Sequence, residues 1–415
     1  MVKRYNGNLL INVSYCCTIV GEPLEKYKLI LPKQCPRIVA EQVENFVDEL
    51  EKKFSIKLMC VGNSAESGEF EIIIGDTLHT DACNIPSAGT YSIKVIGKKL
   101  VITAGDDASL SGAVKRLRKI FLNGANGLVS IDSDFSLNEA YFPGEDGYKY
   151  VWGDEFDGKE LNRRIWKNQA QPYETSSCLN TKCMARKSEG CYVKDGNAVI
   201  FATHDPVTSD FTHRQISTKG THIFLYGCME IRAKLAPAPA ANAIWFVTES
   251  LDGEHKNYPC NQEIDLLEDF GCSKSFAANV HRWWKNDDGT GGHTSLDGGE
   301  FARLKKYTVP EDKPPLSCDY HVYSFQWTPE IMNFCIDGKV FFSYDIKNDI
   351  DGKGTAPFHT PMITLLSATL GATTYGKKWT ESDRDYYELL IDYVRLYQRD
   401  CDKGYSKQIR SDLFA

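Results

Sequence analysis

Three carboxylates lie close together in the stretch CNQEIDLLEDFG, near the middle of the 415-residue chain: Glu263, Asp265 and Glu268. The stretch is typical of a β-strand, in which successive side chains point to opposite faces. Glu263 and Asp265 therefore share a face, whereas Glu268 should point away from it. A one-residue β-bulge at Leu266 or Leu267 returns Glu268 to the shared face and turns one of the two leucines toward the core.

Three carboxylates on one face repel one another, so a purely structural strand should avoid them unless cations or protons relieve the repulsion. Two carboxylates about 5 to 5.5 Å apart suit retaining glycoside hydrolysis, in which one attacks the anomeric carbon and the other donates and then accepts a proton. The third can orient the nucleophile through a hydrogen bond or a shared proton. An acidic strand without a chemical role and a calcium site are the alternatives.

The E-x-D-x-x-E pattern resembles the bulged active-site strand of glycoside hydrolase family 16, on its laminarinase and agarase side. Segments before and after it resemble landmarks of that family in the same order: YVWGDEFDGKELNRRIW, RQISTKGTHIFLYGCMEIRAKLAPAPAANAIWFV, DYHVYSFQWTPEIMNFCIDGKV and LLIDYVRLYQ. The resemblance implies that Glu263 is the nucleophile, Glu268 the general acid/base and Asp265 the assisting carboxylate. It also implies an endo-acting retaining hydrolase that cuts internal β-linkages of a polysaccharide by double displacement.

The resemblance favours a β-1,3-glucan or a mixed-linkage β-glucan as the polysaccharide substrate. Two segments, LLSATLGATTYG and KNYPCNQ, differ from the corresponding laminarinase segments. A galactan of the agar or porphyran type is therefore the alternative substrate. A lectin-like protein that binds glycans without cleaving them is a third hypothesis, because the same fold also serves binding alone.

The neighbouring segment FAANVHRWW supplies candidate cleft residues. Strand alternation places Asn279, His281 and Trp283 on one face and Trp284 on the core side. A face that mixes aromatic and polar groups suits a sugar cleft, since an indole covers the apolar face of a pyranose and polar groups bind its hydroxyls. Core packing is the alternative for the aromatic candidates, and a structural role is the alternative for His281. The family resemblance adds Trp245, Tyr258 and Trp379, so the residues expected to bind substrate are Trp245, Tyr258, Asn279, His281, Trp283 and Trp379.

Asp392, in the segment IDYVRLY, matches a family position that helps to hold a structural calcium ion on the convex side of the sandwich. A solvated carboxylate on a strand is the alternative at this position. An ion held there would stabilise the sandwich without contacting the sugar, so the resemblance implies no cofactor for catalysis itself.

The elements that position these residues divide the chain into an α/β accessory domain, residues 1–145, and a catalytic domain, residues 146–415. The second region has short alternating segments and tight turns, which are typical of a β-sandwich. The first region resembles the non-catalytic N-terminal domain of β-hexosaminidases and α-glucuronidases. Its order is predicted as β-α-β-β-β-α, in the segments LLINVSY, RIVAEQVENFVDELEKKF, EIIIG, YSIKVIGKKLVITA and SLSGAVKRLRKIFL. The predicted fold class is mainly β, a concanavalin-like β-jelly roll sandwich preceded by a small α/β sandwich.

The amino-acid composition limits the binding partners and the cellular compartment that can be expected. The formal net charge is −8 and no basic stripe is interleaved with aromatics, so nucleic acid is not an expected partner. The sequence contains no run of about eighteen apolar residues, so no membrane span is predicted. The protein is expected to be a monomer. The start, MVKRYNGNLLINVSYCC, lacks the apolar core of a signal peptide, and most of the 14 cysteines are interpreted as buried thiols. These features indicate the cytoplasm, or secretion in an anaerobic habitat after loss of a leader.

Overall fold

The computed structural model describes residues 4–5, 8–9, 17–63, 66–75, 79, 85–86, 90–122, 129–140, 148–168, 190–209, 211–248, 260–285, 291–295, 305–347, 358–370, 377–401 and 407–408. The chain divides into two compact units, Met1–Tyr150 and Val151–Ala415. Within the described ranges, no helix is both long enough and apolar enough to cross a membrane.

The first unit is a layer of helices on a mixed sheet. The sheet has six strands in the order β11-β8-β9-β7-β5-β6, and β10-β3-β4 form a smaller one. Strands β5, β6, β7 and β9 pair in parallel, whereas β8 and β11 pair antiparallel. The elements are β1 (Arg4–Tyr5), β2 (Asn8–Leu9), β3 (Cys17–Ile19), β4 (Glu22–Pro23), β5 (Lys28–Leu31), α1 (Arg37–Phe54), β6 (Met59–Gly62), β7 (Glu71–Ile74), β8 (Thr90–Ile96), β9 (Lys99–Ala104), α2 (Asp107–Leu122), β10 (Val129–Ile131) and β11 (Ser136–Ala140).

Helix α1 has the bounds that its apolar periodicity predicts. It buries Val39, Val43, Phe46, Leu50 and Phe54, which recur three or four residues apart and so form a single stripe. The same hydrophobic cluster contains the apolar stripe of α2 and one face of the six-stranded sheet. The predicted α/β layer arrangement is therefore present in this unit.

Two details of the first unit differ from the predicted order. The predicted strand at residues 9–15 lies almost wholly outside the described residues, and β5 instead leads into α1. Strand β6 was not predicted. It is an edge strand on which Met59 and Cys60 are exposed, so its sequence shows no apolar alternation.

The second unit consists of strands in two large sheets. In chain order the elements are β12 (Lys149–Asp154), β13 (Lys167–Asn168), β14 (Tyr192–Lys194), β15 (Asn197–Thr203), β16 (His213–Ser217), β17 (His222–Ile223), β18 (Gly227–Lys234), β19 (Ala241–Thr248), β20 (Cys260–Asp269), β21 (Ser275–Lys285), β22 (Gly291–Ser295), β23 (Lys306–Thr308), β24 (His321–Trp327), β25 (Ile331–Ile336), β26 (Lys339–Asp345), β27 (Met362–Thr369), β28 (Tyr386–Gln398) and β29 (Lys407–Gln408).

The site sheet has the strand order β13-β16-β27-β19-β20-β21-β22, with β23 beside β21. The back sheet has the order β14-β15-β28-β18-β24-β25-β26, with β12 beside β28. Neighbouring strands along both paths pair antiparallel. Some neighbours are far apart in the sequence, such as β15 and β28 in the back sheet and β16, β27 and β19 in the site sheet. Both sheets therefore depend on contacts between distant parts of the chain.

The two sheets of this unit share one hydrophobic core. The site sheet contributes the fully buried side chains of Ile244, Phe246 and Ile264, and the back sheet contributes Phe325 and Trp327. The rings of Phe246 and Phe325 stack with centroids 5.2 Å apart. The predicted β-sandwich is therefore confirmed. Strand alternation turns the residues between these core positions to the open face of the site sheet.

The interpretation of most cysteines as buried is wrong for the described ones. Of the nine whose burial the structure describes, Cys17, Cys191, Cys228 and Cys335 are buried, Cys35 is half-buried, and Cys60, Cys272, Cys318 and Cys401 are exposed. Cys60, for example, lies on the edge strand β6.

Candidate active site

The catalytic candidates share a face because β20 contains a bulge. On β19, Ile244 pairs with Leu267 and the next residue, Trp245, pairs with Asp265, so Leu266 is the extra residue. The pairing with β21 shifts over the same stretch of β20. The predicted bulge is therefore present, but both leucines are fully buried in the core rather than one of them.

Strand β21 brings polar side chains to the carboxylates. Glu263 pairs with His281, and Asp265 pairs with Asn279. The distance from His281 Nε2 to Asp265 Oδ2 is 2.9 Å. One carboxylate oxygen of Glu263, one of Asp265 and a ring nitrogen of His281 all lie within 4.8 Å of one another. Glu263 is half-buried and Asp265 is buried, so Glu263 is the more accessible of the two to a ligand.

The surroundings of Glu268 favour the protonated form of its carboxyl. Burial raises the pKa of its carboxyl well above the usual value, and the negative charge of Asp265 raises it further. His281 lowers this pKa, Glu263 raises it and Lys305 lowers it, each by less. The net effect keeps Glu268 protonated above the usual carboxyl range, which is the state that a general acid requires.

Small side chains flank Glu268 on both neighbouring strands. It pairs with Ala243 on β19 and with Ala277 on β21. Both alanines are only half-buried. Because an alanine side chain ends at Cβ, neither of these two neighbours extends beside the Glu268 carboxyl.

Trp245 lies next to the carboxylates on the open face of the site sheet. It pairs with Asp265 on one side and with Leu365 of β27 on the other. Its contacts include a small apolar cluster of Val247, Ile363 and Leu365, which is separate from the core between the sheets. The structure thus places Trp245 beside the strand that carries the three carboxylates, and its contact with a glycan stays a prediction.

Trp379 is not brought to the carboxylates by its described contacts. Its ring packs against His204 in a tilted arrangement with centroids 4.0 Å apart, and it meets Phe211 edge-on at 5.6 Å. Its indole N–H donates to the carbonyl of Arg384 at 3.0 Å. These partners lie at the ends of β15, β16 and β28, and none of them is on β20.

The predictions for Tyr258 and for the side chains of Trp283 and Trp284 fall outside the described residues. The backbone of Trp283 is described and pairs with both β20 and β22. Asn279 is buried on the carboxylate face, and its Oδ1 accepts the backbone N–H of Val280 at 3.0 Å.

Asp392 is paired with a guanidinium. Arg232 Nη1 lies 2.7 Å from Asp392 Oδ2, and the same guanidinium stacks over the ring of Tyr320. Asp392 is 1% exposed, so the alternative of a solvated strand charge is wrong. Arg232 balances the charge at the position where the resemblance implies a calcium ion, and that ion stays a prediction.

Lys305 is a charged neighbour that sequence reasoning missed. It is buried, and its carbonyl accepts the backbone N–H of Ala278 on β21 at 2.8 Å. In the sequence it stands in the charged run RLKK, which is typical of an exposed segment. Only the pairing of β23 with β21 brings its charge close enough to act on Glu268.

Comparison with known proteins finds one matching family model, described as the β-porphyranase A–D GH16 domain, over residues 151–399. Among curated proteins, the chain is 25% identical over 302 residues to glucan endo-1,3-beta-glucosidase A1 of Niallia circulans, covering 65% of this chain and 41% of that protein. It is 25% identical over 267 residues to the beta-glucanase of Rhodothermus marinus, covering 60% of this chain and 85% of that protein.

Among solved structures, the catalytic domain of an endo-1,3-beta-glucanase (laminarinase) from Thermotoga petrophila is 21% identical with a TM-score of 0.49, covering 61% of this chain and 98% of that domain. The family match is the broader result: it spans more than half of the chain and takes in almost the whole second unit. It includes the bulged strand with Glu263, Asp265 and Glu268. The chain belongs to glycoside hydrolase family 16, through a domain of the β-porphyranase A–D type.

Proposed function

We propose that the chain is an endo-acting retaining glycoside hydrolase that cuts internal β-linkages of a polysaccharide by double displacement. One observation carries the proposal: Glu263 and Glu268 lie on one face of the bulged strand, the first accessible and the second with a pKa raised well above the usual value. A carboxylate nucleophile beside a protonated carboxylic acid is the pair that the retaining reaction requires.

In the first step, the Glu263 carboxylate attacks the anomeric carbon while Glu268 protonates the departing glycosidic oxygen. The bond from sugar to leaving group breaks as the bond from sugar to Glu263 forms. The short side chains of Ala243 and Ala277, which pair with Glu268, do not extend into the path of the leaving-group sugar. The attack requires an ionised Glu263 carboxylate and a protonated Glu268 carboxyl. The raised pKa of Glu268 favours its protonated form.

In the second step, Glu268 has lost its proton and acts as the base that activates water. The water attacks the anomeric carbon of the glycosyl ester, and the Glu263 carboxylate leaves. Two inversions at the same carbon give a product that keeps the β-configuration. Asp265 and His281, 2.9 Å apart, orient the nucleophile from the buried side and do not form a bond to the sugar.

The substrate is proposed to be a β-1,3-glucan or a mixed-linkage β-glucan. The support is the names of the two curated relatives, a glucan endo-1,3-beta-glucosidase and a beta-glucanase. The alternative is a galactan, and its support is the family model, whose description is a β-porphyranase domain. The chain spans only 41% of the length of the Niallia circulans relative, so the substrate is decided by assay.

The test incubates the full chain with laminarin, a mixed-linkage β-glucan, agarose and porphyran, and measures new reducing ends and the sizes of early products. We expect a rapid fall in polymer length on one of these glycans, with β-configured new ends seen by proton NMR. Degradation of a galactan alone would replace the glucan proposal. Binding to glycans without new reducing ends across the panel would overturn hydrolysis and favour the lectin-like alternative.

A further inference from the structure

Asp269 follows Glu268 directly and, as the last residue of β20, points to the opposite face of the strand. It is 1% exposed. Its Oδ1 accepts the backbone N–H groups of Cys272 at 2.7 Å and Ser273 at 3.1 Å, and its Oδ2 accepts Asn242 Nδ2 at 3.0 Å. We propose that Asp269 and Asn242 are positioning residues that hold Glu268 in the place where it acts as general acid/base. This inference rests on the proposed hydrolase function.

Asn242 ties the end of β20 to the segment between β18 and β19. It pairs with Asp269 across the two strands, and it is 2% exposed. Its Oδ1 accepts the backbone N–H of Ala236 at 2.9 Å, and its Nδ2 donates to the carbonyl of Ala236 at 3.0 Å. Both hydrogens of the amide and its oxygen are thus used within the protein. The side chain works as a fixed link between two backbone segments.

The two backbone segments also touch directly. A Cβ placed on Gly271 would lie 2.6 Å from the carbonyl oxygen of Pro239, at a φ of +76°, so the close approach requires glycine. Ser273 Oγ accepts the backbone N–H of Ala238 at 3.2 Å. The carbonyl of Ser273 accepts the backbone N–H of Leu316 at 2.8 Å. These contacts restrict the backbone directly after Glu268.

Glu268 depends on its backbone for its position. Among the described residues, its carboxyl has no hydrogen-bond partner, and its neighbours Ala243 and Ala277 are too short to brace it. On its N-terminal side the regular ladder is interrupted by the bulge at Leu266. The anchored residue on its C-terminal side, Asp269, is therefore a fixed point directly beside it.

The position of an acid matters because proton transfer needs a donor about 2.6 to 3.2 Å from the acceptor. A misplacement of about 1 Å can reduce the rate on the order of 100-fold. Asp269 and Asn242 lie on the core side and do not touch the substrate. Their effect on the reaction is therefore expected to pass through Glu268.

The test compares Asp269→Asn and Asn242→Ala with a matched control, Asp337→Asn. Asp337 accepts the backbone N–H of Val322 at 2.9 Å and lies 2.7 Å from a ring nitrogen of His321, but it belongs to a turn of the back sheet. Each purified full-length variant is assayed for kcat and KM on the glycan that the wild type cleaves. The rate of phenol release from an aryl β-oligosaccharide with a good leaving group is also measured for each variant, because departure of that group needs no protonation by an acid.

For Asp269→Asn we expect kcat on the glycan to fall about tenfold or more, with KM and aryl release each within about threefold of wild type. Asn242→Ala should show a smaller loss of the same kind, and Asp337→Asn should change neither rate by more than about threefold. Equal loss on both substrates, or no loss, would overturn the inference. If Asp269→Asn fails to fold, Asn242→Ala decides by the same criteria.

A wild type that cleaves no glycan would refute the proposed function rather than the positioning. In that case the carboxyl of Glu268 is titrated by carbon-13 NMR in the wild type and in Asn242→Ala. The Asn242 hydrogen bond lowers the pKa of the Asp269 carboxyl, so Asp269 is titrated in the same spectra. A changed pKa of Glu268 in the pH range where Asp269 keeps its charge reports a changed position. We expect that pKa to move down toward the usual carboxyl value as Glu268 gains contact with water, and an unchanged pKa would overturn the inference.

Discussion

His281 and Asp265 lie on neighbouring strands with Nε2 and Oδ2 2.9 Å apart, on the face that carries Glu263. The imidazole therefore contacts the most buried of the three carboxylates. In the proposed mechanism Asp265 has a supporting part, in which it orients Glu263 and adds negative charge near Glu268. The kinetics of single variants can distinguish a supporting carboxylate from a reacting one.

Asp265→Asn keeps the shape of the side chain and removes its charge, so the two glutamates stay in place. We expect kcat to fall about tenfold to a hundredfold, which is less than for either glutamate. Steady-state kinetics of the three single variants on one glycan provides the comparison. A loss for Asp265→Asn as large as that for Glu263→Gln would mean that Asp265 reacts directly.

Glu263→Gln replaces the proposed nucleophile by an amide of nearly the same shape. Turnover should fall on the order of 10³-fold or more, whereas glycan affinity, measured by calorimetry, should stay close to that of the wild type. Circular dichroism checks that the sandwich is intact. Retained turnover in a folded variant would exclude Glu263 as the nucleophile.

Glu268→Ala removes the acid and leaves the nucleophile. An aryl β-glycoside should still form the covalent intermediate, and added azide should attack its anomeric carbon and release the Glu263 carboxylate, giving a β-glycosyl azide. NMR of the product determines its configuration. An inverted azide, or azide rescue of the Glu263 variant instead, would reverse the two assignments.

The raised pKa of Glu268 also predicts a dependence of stability on pH. The group binds its proton more tightly in the folded state, so its contribution to stability is full below the unfolded pKa and is lost as the pH rises through the folded pKa. Glu268→Gln should therefore unfold at a higher temperature than the wild type at neutral and alkaline pH, with the advantage vanishing in acid. Glu160→Gln, at an exposed position, is the control and should change little at any pH.

The pKa of Glu268 is raised, whereas that of Glu71, in the first unit, is lowered. Burial acts to raise its pKa, but hydrogen bonds from the Gly68 N–H, from Lys99 and from His79 lower it below the usual value. The stability that this group adds is present above the usual carboxyl range and is lost as the pH falls through the lowered pKa. Glu71→Gln should destabilise the first unit by about 1 to 3 kcal/mol at neutral pH, seen by calorimetry. Glu69→Gln, at an exposed position nearby, should have little effect, and an equal effect would contradict the argument.

Features with a strict local period could be predicted from the sequence. The stripe of α1 follows from helical spacing, and the bulge in β20 follows from the conflict between three carboxylates and a two-residue period. The pairing of Asp392 with Arg232 and the closeness of Lys305 to Glu268 could not be predicted. They depend on which distant strands become neighbours and in which register, and that information is spread over the whole core rather than held in any one segment.

The bulge at Leu266 has a consequence for changes in chain length. In a buried strand, gain or loss of one residue normally turns every later side chain to the wrong face. At this point β20 already carries one residue more than its neighbours, and the residues of β19 that face the two sides of the bulge are consecutive. Loss of the codon for Leu266 would join Asp265 to Leu267 in regular alternation and leave Glu268 on the same face as before. At this point of β20, a three-nucleotide deletion therefore keeps the three carboxylates on one face.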